Sequence, residues 1–423
     1  MIGKRNREMG LLFLVLVIAL IGFISVQLSR APSLSTEPIR LVALMFLPFF
    51  ALHLLERRLA TEADPLLLPL AAFLTSLGTM MLYRLRPELV SRQSLWITLG
   101  ALGVLGIFLF LKDYSELENY KYLCALLGIT LLLSPALFGE EIRGAKLWLR
   151  AGQLSFQPAE VGKILLVIFL AAYLKDKGRL LSLAEKRLLR IPVPDLKHFG
   201  PLLTMWVISL VILILEKDLG SSLLFFGIFL AMLYVATGRE MYSIVGCCLF
   251  LAGAVACYLV FGHVQTRIDI WLNPWQDVAK SGYQIVQSLF AIANGGLFGT
   301  GLGLGYPHYI PAVHTDFIFS ALAEELGLAG GLGVLAAYLL FAHRGFRLAL
   351  ETKDEFGKLL AIGLTSTFLL QALIIIGGAT KLIPLTGITL PLMSYGGSSI
   401  LSNFILLGLL LVISQKTAQG RRM

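Results

Sequence analysis

The chain has 423 residues, of which 57% are hydrophobic and only 14% charged, and its mean hydropathy is +0.81. A soluble chain carries about 25% charged residues, so this composition excludes an ordinary soluble protein and makes lipid the solvent for most of the sequence. The net charge of +9 does not point to nucleic acid, because the basic residues gather between apolar runs, as they do in the cytoplasmic loops of membrane proteins.

Apolar runs of roughly 18 residues or more are candidate membrane helices. A membrane barrel would alternate polar and apolar residues, and these runs do not. About twelve spans are predicted, over residues 10–28, 40–55, 66–83, 95–111, 122–137, 159–174, 201–215, 219–236, 241–261, 317–341, 359–378 and 399–414. The fold class is therefore an all-α, polytopic membrane bundle with no soluble domain. The first run follows Lys4, Arg5 and Arg7 and lacks a small-x-small cleavage site, so it reads as a retained helix rather than a signal peptide. Cys124, Cys247, Cys248 and Cys257 all lie inside apolar runs and read as small hydrophobes, not metal ligands or disulfide partners.

With both termini in the cytoplasm, the clusters at Arg57-Arg58, Lys112 and Lys121, Lys175 to Lys197, Arg344 to Lys358 and Lys416 to Arg422 fall inside. Roughly 22 of the 35 Lys and Arg residues then obey the positive-inside rule. Arg84, Arg86, Arg92, Arg143, Lys146 and Arg150 break it, which gives the second group a chemical reason to be outside. The longest loop, about residues 262–316 between the ninth and tenth spans, faces the exterior. Loops of that length without a domain of their own are usually functional. Within it, residues 283–293 read as a short amphipathic helix at the membrane surface.

Several segments could carry chemistry. Asp277, in Asn273-Pro274-Trp275-Gln276-Asp277, is a loop carboxylate beside apolar surface, where a raised pKa would prepare a general base; the plainer reading is a solvated turn aspartate. Pro158 fits a helix start, and Glu160 and Lys163 then share one helical face. Ionisable residues at membrane depth point to function, with a structural ion pair as the alternative. Glu216-Lys217-Asp218 is a tight charged turn. His314, Thr315 and Asp316 lead into the tenth span, where Glu324 and Glu325 cannot both face lipid. Residues 384–399, apolar yet punctuated by Pro and Gly, read as a re-entrant segment or a kinked helix. No His-rich or Cys-rich spacing supports a metal site.

Taken together, Gly144-Ala145-Lys146-Leu147-Trp148 with residues 157–163, Asp218-Leu219-Gly220, residues 273–284, Pro311 with residues 314–319, Glu324-Glu325-Leu326-Gly327 and residues 384–399 resemble the SEDS family of shape, division and sporulation proteins (RodA, FtsW and SpoVE). The resemblance runs in order from about residue 66 to the C-terminus. It implies a ten-helix core over residues 66–423 preceded by two additional helices in residues 1–65. It implies a peptidoglycan glycosyltransferase that polymerises lipid II outside the membrane with undecaprenyl diphosphate as leaving group and inversion at the anomeric carbon. The family's outer-loop aspartate maps to Asp277; the family commonly has Pro next, where this chain has Val278, and Asp269 is the poorer alternative. The resemblance implies Asp277 as general base and Lys163, Glu160, Arg143, Arg267, Trp148, Gln284, His314, Asp316 and Ser398 as residues that bind the lipid II diphosphate and sugars. It implies a class B penicillin-binding protein as partner and a bacterial plasma-membrane location with the active site extracytoplasmic. No organic cofactor is expected, and a divalent cation (Mg2+ or Mn2+) is compatible with the chemistry. A lipid II flippase is the alternative function.

Overall fold

The structure is a computed structural model that describes residues 2–30, 35–111, 113–142, 145–151, 154–182, 186–188, 191–193 and 196–421. It divides into two compact units, the first made of Met1–Lys112, Thr266–Arg344 and Gln371–Met423, the second of Asp113–Gln265 and Gly345–Leu370. In chain order the helices are α1 (Ile2–Arg30), α2 (Glu37–Leu59), α3 (Leu67–Leu85), α4 (Val90–Phe110), α5 (Glu116–Asn119), α6 (Lys121–Phe138), α7 (Pro158–Ser182) and α8 (Leu196–Leu215). They continue as α9 (Leu219–Thr237), α10 (Glu240–Val260), α11 (Gly262–Leu272), α12 (Tyr283–Gly295), α13 (Ile318–Glu351), α14 (Glu355–Ala379) and α15 (Gly397–Gln419).

Every one of the twelve expected spans coincides with a long helix. Among the described residues ten of these are long and apolar enough to cross a membrane, and the chain is a multi-pass membrane protein. The other two are α7, which carries Glu160, Lys163, Lys175, Asp176 and Lys177, and α8, whose apolar stretch Gly200–Leu215 is short. The sequence also builds small antiparallel ladders that a purely helical reading omits: β1 (Glu140–Ile142), β2 (Ala145–Ala151) and β3 (Leu154–Phe156) in one sheet, and β4 (Lys186–Leu188) with β5 (Ile191–Val193). In β2 the side chains of Lys146, Trp148 and Arg150 share one face and Leu147 and Leu149 the other, the period of a strand.

In the first unit α4 and α15 pack closely. A Cβ on Gly100 of α4 would lie 2.7 Å from the Phe404 ring of α15, so the missing side chain is what lets the ring in. α3 is buried along most of its length, and a Cβ on Gly78 would lie 2.2 Å from the Met393 carbonyl oxygen.

α13 is not one continuous helix. Gly327 sits at φ 71°, ψ −171°, which breaks the intrahelical ladder and would leave backbone groups without partners, a costly condition away from water. The glycine-rich segment after α12 supplies them. Leu328 N donates to the Gly296 carbonyl at 2.9 Å and Ala329 N to the Leu297 carbonyl at 3.1 Å. Thr300 N and Gly301 N donate to the Glu324 and Glu325 carbonyls, each at 3.0 Å. A Cβ on Gly299, at φ +83°, would lie 2.2 Å from the Glu325 carbonyl oxygen, so only glycine fits there. Both carboxylates are buried and take hydrogen bonds from the same segment, although Glu324 Oε2 has no partner among the described residues. Glu325 accepts from Gly303 N at 2.8 Å and from Arg84 Nε at 3.0 Å, and Glu324 accepts from Tyr306 N at 3.0 Å. Arg84 also donates to the Gly305 carbonyl at 3.0 Å.

The N-terminal helices are fastened by charges. Arg5 Nη1 lies 2.5 Å from Glu56 and also pairs with Glu8, while Arg5 Nη2 donates to the Ala63 carbonyl. His53 Nδ1 lies 2.5 Å from Glu8 Oε1. Glu62 N donates to Gln415 at 2.8 Å, Asp64 N to Ser414 at 2.9 Å, and Arg344 Nε to Asp64 at 2.8 Å.

Removing the guanidinium from Arg84 leaves Glu325, fully buried, without its counter-ion. Arg84→Ala is expected to lower stability by on the order of 3 kcal/mol, read as a fall in thermal midpoint in detergent, with Arg84→Ala/Glu325→Gln recovering part of the loss. Equal midpoints for wild type and the single variant would refute the assignment.

Candidate functional site

Asp277 stands on a short turn whose geometry the local sequence dictates. Pro274 opens a 3-10 helix, Pro274–Asp277, and the chain then folds back so tightly that a Cβ on Gly282 would lie 2.3 Å from the Pro274 carbonyl oxygen. Gly282 N donates to the Asp277 carbonyl at 3.0 Å. The Asp277 carboxylate accepts from Ser281 Oγ at 2.9 Å and from Ser281 N at 3.3 Å. Trp275 packs on Phe290 of α12 with ring centroids 5.9 Å apart, and α12 is anchored by Ser288 Oγ, 2.8 Å from the Ala379 carbonyl and 2.7 Å from Ser320 Oγ. α12 is the expected amphipathic helix, with Ile285, Val286 and Ala291 buried and Phe290 exposed.

The hydrogen bonds from Ser281, assisted by the nearby Lys280 ammonium, hold the Asp277 carboxyl below the usual 3.8, against a smaller upward push from burial. The expectation of a raised pKa is therefore corrected: the carboxylate is only half-buried, and donors that favour the charged form outweigh desolvation. It is ionised at neutral pH.

Ser281 links Asp277 to a groove of about 190 Å3 lined by Arg267, Trp271, Ser281, Gln284, Asp316 and Lys381 over an apolar floor that includes Ile270, Ile285, Ile383 and Leu385. The structure thus brings Arg267, Gln284 and Asp316 together, as three walls of one groove. Arg267 Nη1 donates to the carbonyls of Leu385 and Thr386 at 3.1 and 2.9 Å, which fixes the guanidinium against the segment that follows α14. Trp271 Nε1 donates to the Lys381 carbonyl at 3.2 Å, and Lys381 adopts φ +62°. Lys381 and Trp271 were not anticipated. The signal for Lys381 was available, since with cytoplasmic termini a lysine after the eleventh span breaks the positive-inside pattern just as Arg143 does.

Between α14 and α15 the chain runs without regular structure from Thr380 to Gly396, so this stretch is not a kinked helix. Side chains supply its backbone partners. Leu390 N donates to Ser394 Oγ at 2.9 Å, Ser394 Oγ lies 2.5 Å from the Thr315 carbonyl, and Tyr338 OH donates to the Pro391 carbonyl at 2.6 Å. Tyr395 N donates to the His314 carbonyl at 3.0 Å, and the His314 and Tyr395 rings lie 6.0 Å apart. His314 and the buried Ser398 do not line the groove.

The remaining expected residues belong to the second unit. Lys163 and Glu160 pair at 2.5 Å, one turn apart on α7, both buried. Lys163 also lines a small cleft of about 20 Å3 with Trp206 and Ser209. Trp148 is half-buried on β2, and Arg143 lies outside the described residues. Asp218 caps α9, accepting from Ser221 N at 2.9 Å and Ser221 Oγ at 2.7 Å. Its neighbour Glu216, 6% exposed, is pushed up from 4.5 to about 8 by burial and by the Asp218 charge. Among the described residues no three His, Cys, Asp or Glu side chains converge as a metal site would need.

Comparison with known proteins agrees with this architecture. The family of cell cycle proteins FtsW, RodA and SpoVE matches residues 66–419. The chain is 45% identical over 425 residues to a protein named peptidoglycan glycosyltransferase RodA from Mycobacterium tuberculosis, covering 97% of this chain and 90% of that one. It is 32% identical over 375 residues to stage V sporulation protein E of Bacillus subtilis, covering 84% and 98%. Among solved structures, a chain of a peptidoglycan synthase complex that coordinates polymerization and crosslinking superposes with a TM-score of 0.71 at 29% identity, covering 84% of this chain and 98% of that one. Thermus thermophilus RodA superposes at 0.61 and 28% identity, covering 84% and 97%. The mycobacterial match, covering 97% of this chain, reaches into α1 and α2, which lie outside the family's 66–419.

Because the Glu216 pKa in the fold lies above its ordinary value, the protonated carboxyl contributes stability fully below about 4.5 and loses it as pH rises through about 8. The thermal midpoint should fall across that window in wild type. The fall should be smaller in Glu216→Gln, and equal slopes would contradict it.

Proposed function

This chain belongs to the FtsW/RodA/SpoVE family of cell cycle proteins, and from that premise we propose that it is a peptidoglycan glycosyltransferase that polymerises lipid II with Asp277 as general base. The observation that carries the site assignment is the Asp277–Ser281 hydrogen bond, because Ser281 is shared between the carboxylate and the groove wall. The reaction needs a base for the 4-hydroxyl of one lipid-linked sugar, which attacks the anomeric carbon of another with inversion. It also needs positive charge beside the departing undecaprenyl diphosphate.

Asp277 is ionised and partly exposed, so it can take the proton. A sugar packed against it would displace water and push its basicity up toward the range a base needs. Arg267 and Lys381 place two cations on the groove, and a guanidinium is suited to bidentate contact with phosphate oxygens. Gln284 and Asp316 offer hydrogen bonds to sugar hydroxyls. The apolar floor suits the first isoprene units. Lys163 with Glu160, Trp148 and Arg143 remain candidates for holding the second substrate. A divalent cation would have to arrive with the diphosphate, because among the described residues Asp316 alone gives the groove wall a carboxylate.

The basic loops, counted by the positive-inside rule, favour cytoplasmic termini and an extracytoplasmic groove. A crosslinking class B penicillin-binding protein is the proposed partner, by analogy with the synthase complex. The flippase alternative is not favoured, since the relatives carry the glycosyltransferase name.

Purified protein given lipid II and a crosslinking partner should make glycan strands, and Asp277→Asn should reduce the rate by at least about 100-fold while circular dichroism stays unchanged. A normal rate in that variant would remove Asp277 from the mechanism. Lys381→Gln should raise KM for lipid II with a smaller change in kcat if it binds the diphosphate in the ground state. The acid limb of kcat/KM for the free enzyme should lie below the ordinary aspartate value of 3.8, because hydrogen bonding depresses the Asp277 pKa; an acid limb near neutrality would contradict that.

A further inference from the structure

α2 and α4 leave between them an apolar groove of about 610 Å3, three times the volume of the one beside Asp277 and within the roughly 300–1,000 Å3 of ordinary ligand sites. Its wall on α2 is one helical stripe in which Leu47, Ala51 and Leu54 follow each other at spacings of three or four and end on Arg58. The wall on α4 centres on Ala101 and Leu102. The small side chains of Ala51 and Ala101 open its middle. Leu47, Leu54 and Leu102 are 68%, 56% and 55% exposed, so the groove is open on its outer side, and on two helices that cross a membrane that side is bathed by lipid.

Arg58 makes the groove more than a lipid-facing hollow. It is exposed, it lines the groove, and among the described residues it makes no hydrogen bond or ion pair. The charges around it are already taken. Arg57 donates to Asn6 at 2.7 Å, and Glu56 faces the other way into Arg5 at 2.5 Å. An unpaired guanidinium at the end of an apolar channel is complementary to a phosphate that carries a hydrocarbon tail, and basic pockets between membrane helices select acidic headgroups.

We propose that the α2–α4 groove binds an anionic glycerophospholipid of the surrounding bilayer, with an acyl chain lying along Ala51 and Ala101 and the phosphate on Arg58. The site is independent of the polymerisation chemistry. It uses α2, which lies before the matched family region of residues 66–419.

The test uses the full-length protein, extracted and exchanged into detergent with equimolar phosphatidylglycerol and phosphatidylcholine, with bound lipid counted by native mass spectrometry. Wild type should retain phosphatidylglycerol over phosphatidylcholine. Arg58→Gln should lower that preference about tenfold, and Ala51→Trp, which fills the channel from an exposed position, should lower retention of both lipids. Unchanged circular dichroism in each variant separates these effects from misfolding, and the thermal shift on adding phosphatidylglycerol gives a second readout that should shrink in both. Equal retention of the two lipids by wild type, or a preference unaltered in Arg58→Gln, would overturn the proposal. So would displacement of the bound lipid by a stoichiometric membrane segment from a crosslinking partner, which would make the groove a helix-docking surface.

Discussion

The structure turns on a rule that lipid imposes strictly: no backbone polar group can be left without a partner where water cannot reach it. α13 breaks that rule at Gly327 and repairs it with a segment borrowed from the chain between α12 and α13. The repair is reciprocal. The loop gives amides to Glu324 and Glu325, and the two ends of the break give amides and carbonyls back to the loop. Arg84 on α3 closes the arrangement by neutralising Glu325. The loop that follows α12 is thereby held to α13 and α3.

The groove beside Asp277 depends on the same economy of partners. Its walls come from α11, from the start of α12 with the turn before it, and from the irregular stretch after α14, which side chains from elsewhere fasten. Arg267 and Trp271 donate to carbonyls of that stretch, and Ser394 and Tyr395 tie its far end to residues 314 and 315. The side chains that hold the groove open are thus largely those that satisfy exposed backbone. Replacing one of them disturbs shape and charge together.

Much of this was legible in the sequence. Uninterrupted apolar runs fix twelve helices because a spanning segment has few alternatives. The period of apolar residues in 283–293 marks α12, and the Pro158, Glu160, Lys163 spacing marks an ion pair one turn apart. The break at Gly327 was not legible, because the segment that repairs it lies more than twenty residues upstream and carries no charge. Lys381 escaped notice for a different reason. Its role depends on a left-handed turn that brings it beside α11, and only its violation of the charge rule hinted at it. The direction of the Asp277 pKa was not legible, because apolar surroundings show in the sequence and the hydrogen bonds from Ser281 do not.

The pairing of α1 and α2 with distant residues carries a consequence for biogenesis. Arg5 of α1 pairs with Glu8 of its own helix and with Glu56 of α2, so neither helix is comfortable in lipid until the other has been made, and the two should leave the insertion machinery as a hairpin. Glu62 and Asp64, however, find Gln415 and Ser414 only some 350 residues later. The link that follows α2 therefore waits while some 350 further residues are made, and its closure onto α15 can follow only once that helix exists.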